Sequence, residues 1–224
     1  MDFNFREMRR IDRYKLMTST IVPRPIGFVT SLSKDGIVNA APFSFFNGMA
    51  SEPPTLVLGL ETYEDIAPVK DTGDNIRDTG EFVVALVSEE IGDQMNLCST
   101  SFPPEVNELE EAGLTALPAI DVAPPLIAEA PVNFECKRIT ALEMSGGSKI
   151  IVGEIVRMHI KDEFVDMEKL YVDTPALKLI GRMHGTGWYA KTSDLYELVR
   201  PNLPGARKIM DEPPALGSAK ETKK

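Results

Sequence analysis

Residues 23–47 constrain the fold more than any other stretch. Pro23-Arg24-Pro25 leads into Ile26-Gly27-Phe28-Val29-Thr30-Ser31-Leu32, a segment rich in β-branched and aromatic residues. Ser33-Lys34-Asp35-Gly36 then offers a turn, with Gly36 placed to take positive φ, and Ile37 to Phe43 runs back. This pattern predicts an antiparallel hairpin. The strand ends carry small polar side chains: Thr30 and Ser31 on the first strand, Ser44 and Asn47 just beyond the second. Such ends suit a flat, phosphorylated ligand better than a plain core.

The remaining segments point to a mainly β chain. Thr55 to Leu60 follows the turn signal Glu52-Pro53-Pro54, and Glu81 to Val87 is another short apolar run. Two long strands are predicted over Val132–Met144 and Lys149–Ile160, joined by Ser145-Gly146-Gly147-Ser148. Gly187-Trp188-Tyr189 and Leu195–Val199 are further strand candidates. Short helices are expected at Asp71–Thr79, from Ser88 onward, from Pro104 to Gly113, and at Asp173–Ile180. Strands of uneven length broken by short helices do not make βαβ units. The expected fold is therefore an antiparallel split or closed β-barrel of Greek-key type with a few flanking helices, one domain over residues 1–200. Residues 201–224, with four prolines and a charged end, read as a tail.

Composition excludes several classes of partner. A formal net charge of −10 argues against a nucleic-acid backbone or an anionic membrane surface. No apolar run approaches the length of a membrane span, and the N-terminus lacks a signal-peptide core, so a cytoplasmic location is expected. Cys98 and Cys136 share no metal or redox spacing and read as reduced, buried thiols. His159 and His184 stand alone, and no metal site is expected.

One flat phosphorylated ligand, flavin mononucleotide (FMN), makes three demands: donors and a cation for the phosphate, apolar cover for the dimethyl edge, and donors at the pyrimidine edge. Thr30, Ser31 and Ser44 offer hydroxyls and Asn47 an amide. Lys70 precedes a helix start that runs through Thr72, Gly73 and Asn75, and such termini attract phosphate. Asp71 and Asp74 oppose that attraction. Taken singly, each of these residues is more often structural than functional: hydroxyls at turns, a solvated lysine, and core phenylalanines at 43, 45 and 46.

Several blocks in order change that balance. Pro23 to Ser31, Asn39 to Asn47, Glu52-Pro53-Pro54, Lys70 to Val84 and Gly153-Glu154-Ile155-Val156 together resemble the flavin reductase-like family of FMN-binding split barrels, its flavoredoxin-type branch most closely, from Tyr14 to about Pro201. The resemblance implies a homodimer with FMN near the subunit interface. It implies flavin contacts at Thr30, Ser31, Ala41, Pro42, Phe43, Ser44, Asn47, Lys70, Thr72 and Asn75, with Arg24 beside the ring. The expected activity is that of an oxidoreductase passing hydride from NADH or NADPH to flavin. Such transfer is the chemistry of the two cofactors and needs no side-chain acid or base, in keeping with a chain that shows no catalytic triad. Two alternatives stand beside it: an FMN electron carrier reduced by another redox protein, and a non-catalytic flavin-binding protein. Gly181 to Tyr189 resembles the family's closing segment only loosely. His184 within it is either a loop residue or a side chain over the flavin that helps hold the donor.

Overall fold

The computed structural model describes residues 1–61 and 71–198. One unit comprises Met1–Asp194; Leu195–Lys224 form a second. Helix α1 (Arg10–Thr20) precedes strands β1 (Gly27–Leu32), β2 (Val38–Phe43), β3 (Phe46–Ser51) and β4 (Pro54–Leu60). Helix α2 (Asp71–Thr79) leads into β5 (Glu81–Leu86). A 3-10 turn (Glu89–Ile91), α3 (Gly92–Leu97) and α4 (Glu108–Glu111) follow, then a small ribbon of β6 (Ala116–Leu117) and β7 (Leu126–Ile127). The long pair β8 (Val132–Glu143) and β9 (Lys149–Ile160) comes next. The ribbons β10 (Val165–Asp166) with β11 (Tyr171–Val172) and β12 (Ile180–Arg182) with β13 (Tyr189–Lys191) close the unit.

Seven strands form one sheet in the order β2-β1-β5-β8-β9-β4-β3. Its two edge strands, β2 and β3, are separated in the chain only by Ser44 and Phe45. A seven-stranded sheet whose edges lie that close must curl on itself, and the Gly59 N–H, donating to the Phe45 carbonyl at 2.6 Å, carries the β3–β4 ladder up to the seam. The result is an antiparallel barrel with a split between β2 and β3, the split barrel that the sequence predicts.

β1 is buried on both faces, by the barrel interior on one and by the segment from Ile91 to Ile127 on the other. Val29, with Ala41, Phe43, Leu56, Leu58, Phe82, Val84 and Ile151, fills the barrel, and Ile76 of α2 caps it. Ile26 and Phe28 face the other way, onto Ile91, Met95, Cys98, Leu109 and Ile127. The fill is tight enough to dictate Gly153: a Cβ there would run into the Phe82 ring.

The hairpin, both long strands and α2 lie within a residue or two of their expected bounds. Five segments differ. α1 and β3 were not expected, because neither has a strong apolar period; β3 is exposed along most of its length. The helix expected from Pro104 begins only at Glu108, where Asn107 caps it by accepting from the Leu109 N–H. In place of the helix expected over Asp173–Ile180, Thr174–Lys178 form turns and Ile180 opens β12; Lys178 takes φ 47, which a continuing helix excludes. Leu195–Leu198 are not in a strand; Val199 and the tail at 201–224 lie outside the described residues.

Candidate functional site

The polar ends of β1 and β2 meet α2 in one buried network. The Asn39 amide oxygen accepts from the Thr72 hydroxyl at 2.6 Å and from the Ser31 hydroxyl at 3.3 Å. The Asn75 amide donates to Ser31 Oγ at 3.1 Å. On the other side of Asn39, its amide nitrogen donates to Glu108 Oε1 at 2.7 Å, while Glu108 Oε2 accepts the Ala40 N–H at 2.9 Å. β2 is an edge strand, so the Ala40 N–H points away from the sheet and Glu108 supplies the acceptor that a neighbouring strand would otherwise provide. All five side chains are buried.

The fold thus brings Ser31, Thr72 and Asn75 together, as the sequence suggests, and adds Asn39 and Glu108 as partners. The hydroxyl hydrogens of Ser31 and Thr72 are drawn inward to Asn39. Among the described residues, the donors left for an anion are the N–H groups of α2's first turn after Asp71, whose own N–H meets its carboxylate, and the second Asn75 amide hydrogen. Gly73, itself buried, lets that turn pack closely: a Cβ there would sit 3.3 Å from Leu60 and 3.9 Å from Lys149 Nζ. Lys149, a cation that nothing in the sequence singles out, lies against the turn and pairs with Asp74 at 3.0 Å. Burial, and secondarily Asp74, push the Asp71 carboxyl above the usual carboxylate range, so the turn disfavours its own negative charge. These donors and this cation suit a phosphate. Lys70 lies outside the described residues.

The other candidates divide between barrel wall and rim. Thr30 is fully buried and donates to the Pro125 carbonyl at 2.5 Å. Ala41 and Phe43 belong to the barrel core, and Pro42 is half-buried on the alternate face. Asn47 lies on β3, exposed, its amide oxygen accepting from the Gly48 N–H.

Arg24 is 4% exposed and works as a tie. Its guanidinium donates to the carbonyls of Thr18 (2.6 Å) and Ile21 (2.8 Å) at the end of α1, to Ser44 Oγ (3.2 Å), and to the Met183 carbonyl (2.9 Å). Its backbone pairs with Arg182. Four of its five N–H donors are therefore spent on protein, and one remains for a ligand. Among the described residues no carboxylate neutralises it, and burial lowers its pKa.

The segment Arg24 ties down is the loop between β12 and β13. Arg182 donates to the carbonyls of Gly185 and Trp188, both at 3.0 Å, and lies 4.8 Å over the Tyr189 ring. His184 and Trp188 are exposed and stack, with ring centroids 6.2 Å apart and 16° between planes. Both cysteines are buried and outside any disulfide, and burial pushes the Cys136 thiol far above its usual range, which makes it inert.

Comparison with known proteins gives the family. Residues 17–177 match the model of the flavin reductase like domain. An uncharacterised protein of Aquifex aeolicus is 43% identical over 191 residues, covering 85% of this chain and 95% of its own. Among solved structures, the 2-nitrobenzoate 2-nitroreductase NbaA of Pseudomonas fluorescens is 35% identical with a TM-score of 0.82, covering 92% of this chain and all (100%) of its own. Nitrilotriacetate monooxygenase component B from Bacillus cereus is 32% identical, also with a TM-score of 0.82, over 88% and 98% of the two chains.

Proposed function

The chain belongs to the flavin reductase-like family, a family of flavin-related oxidoreductases, and from that premise we propose that it binds FMN and passes hydride to it from NADH or NADPH. The observation that carries the reading is the first turn of α2, packed closely at Gly73, with Lys149 beside it and its flank held by Thr72 and Asn75. In this reading the phosphate takes the α2 N–H groups and the second Asn75 amide hydrogen, with Lys70 as a further cation. Pro42, Ser44 and Asn47, at the seam between β2 and β3, lie toward the ring, and the remaining N–H of Arg24 is a donor for its polar edge.

Bound flavin supplies the hydride acceptor, so the side chains need only align two planar groups and keep water out. His184 and Trp188 present stacked, exposed rings on a loop fixed at its base, which suits a nicotinamide held against the flavin. The seam is bordered by β3, exposed from Asn47 to Ser51, which leaves that side of the site uncovered. A second subunit would complete it, so a homodimer is part of the proposal, as is a cytoplasmic location.

The test is anaerobic mixing of the FMN-loaded protein with NADH or NADPH, followed by flavin absorbance. Bleaching by either nicotinamide supports the reductase. Bleaching by a reduced redox protein but by neither nicotinamide would favour the electron carrier instead. Light scattering that shows a monomer still holding FMN tightly would remove the dimer.

A further inference from the structure

We propose that Glu108 is a positioning residue of the flavin site, acting through Asn39 to set which way the hydrogen bonds around the first turn of α2 run. The inference rests on the FMN reading above. A carboxylate can only accept, so Glu108 forces the Asn39 amide nitrogen toward itself. The Asn39 oxygen must then face α2, where it takes the hydroxyl hydrogens of both Thr72 and Ser31. With its hydrogen committed, Ser31 Oγ presents lone pairs to Asn75 and takes one amide hydrogen, leaving the other for a ligand. The second Glu108 oxygen, on the Ala40 N–H, keeps the carboxylate from turning. One buried acid thus fixes the polarity of a chain that crosses from α4 through β2 and β1 to α2.

Without that acid the polarity reverses. Glu108→Gln leaves one oxygen where two acceptors are needed. If that oxygen takes the Ala40 N–H, the new amide nitrogen faces Asn39 and donor meets donor. Asn39 then flips to present its oxygen, turning its own amide nitrogen toward Thr72 and Ser31 and undoing the order at Asn75. A purely electrostatic role predicts the opposite sign, since removing a negative charge near a phosphate site strengthens phosphate binding.

The test compares dissociation constants for FMN and riboflavin, which lacks the phosphate, by fluorescence quenching in wild type, E108Q and the double variant N39D/E108Q. In the double variant the new carboxylate at position 39 accepts from Thr72, Ser31 and the new amide at position 108. The oxygen of that amide accepts from Ala40, so the original polarity returns. We expect E108Q to weaken FMN about 5- to 10-fold, as for one lost hydrogen bond, with riboflavin changed less than about twofold, and the double variant to recover most of the loss. An unchanged FMN-to-riboflavin ratio in E108Q, a change in that ratio favouring FMN, or a double variant no better than the single one overturns the proposal. If E108Q does not fold, Thr72→Val at the far end of the chain is read in its place, and an unchanged ratio there overturns it equally. Wild-type protein that binds neither flavin removes the FMN reading itself, and this proposal with it; wild type that binds FMN beside an unaltered E108Q ratio removes only the role of Glu108.

Discussion

The buried network around Asn39 and the loop around His184 are built on opposite plans. In the network, side chains hold side chains: Glu108, Asn39, Ser31, Thr72 and Asn75 direct one another's donors, all out of water. In the loop, guanidinium groups hold backbone: Arg24 takes the Met183 carbonyl, and Arg182 those of Gly185 and Trp188. The first plan fixes where hydrogens point, which is what a phosphate of fixed geometry requires. The second fixes only where the chain runs, leaving His184 and Trp188 exposed and able to adjust to a partner that arrives and leaves. In the proposed reading, a cofactor-side anchor and a donor-side loop therefore differ in what is restrained.

The sharpest way to break this comparison is to remove the tie that holds the loop. Arg24→Met leaves the carbonyls of Thr18, Ile21 and Met183 without their donor. With a buried, charge-assisted set lost, unfolding stability should fall by about 3 kcal/mol, measured by urea titration. Met183–Trp188 should also open to amide exchange faster than β1. A loss under about 1 kcal/mol would show that the loop does not depend on Arg24.

A second buried acid asks whether interior carboxylates generally act as fasteners. Glu135 accepts the N–H groups of Ile120 (3.0 Å), Asp121 (2.5 Å) and Val122 (3.1 Å) and touches His159 Nε2 at 2.5 Å. Burial raises its pKa, but His159 and these N–H groups outweigh burial and hold it below the usual carboxylate range. A carboxyl depressed on folding contributes stability that is present above its unfolded value, about 4.3, and lost as pH falls through the folded value. Glu135→Gln should therefore cost about 2 kcal/mol at pH 7 and progressively less below about pH 4. Equal losses at about pH 7 and about pH 3 would contradict this.

Two smaller effects sharpen the comparison at the ligand. Lys70→Ala should weaken FMN roughly 10-fold or more, as expected for one charge-assisted contact, and leave riboflavin nearly unchanged; parallel losses for both flavins would take Lys70 away from the phosphate. His184→Ala should shift FMN affinity by less than about twofold, well under one hydrogen bond, while slowing anaerobic reduction by the nicotinamide. An unchanged reduction rate would leave His184 a loop residue, and lost flavin binding would move it to the cofactor side.

The legible parts of the molecule are those with a period or a turn signal. β8 and β9 are long runs joined at a glycine turn, and the β1–β2 hairpin is marked by Gly36 at φ 81, so these are readable from local residues. The curl of the sheet is not, because it depends on β3, whose exposed residues carry no apolar alternation. At the site, Ser31, Thr72 and Asn75 stand out as hydroxyls and amides at element ends. Glu108 does not, since an acid in a helix's first turn is a common solvent-facing choice and nothing local reveals a burial partner 69 residues away in sequence. Arg24 is visible as part of the Pro23-Arg24-Pro25 block, but its work as a tie depends on Met183, far along the chain.

The central claim is that this barrel holds FMN by its phosphate at the first turn of α2, and parallel fluorescence titration of the wild-type protein with FMN and riboflavin tests it most directly. The account predicts saturable binding of both, with FMN tighter by at least about tenfold, the contribution of one charge-assisted phosphate contact. Equal affinities would contradict the phosphate anchor, and no saturable binding of FMN would contradict the account as a whole.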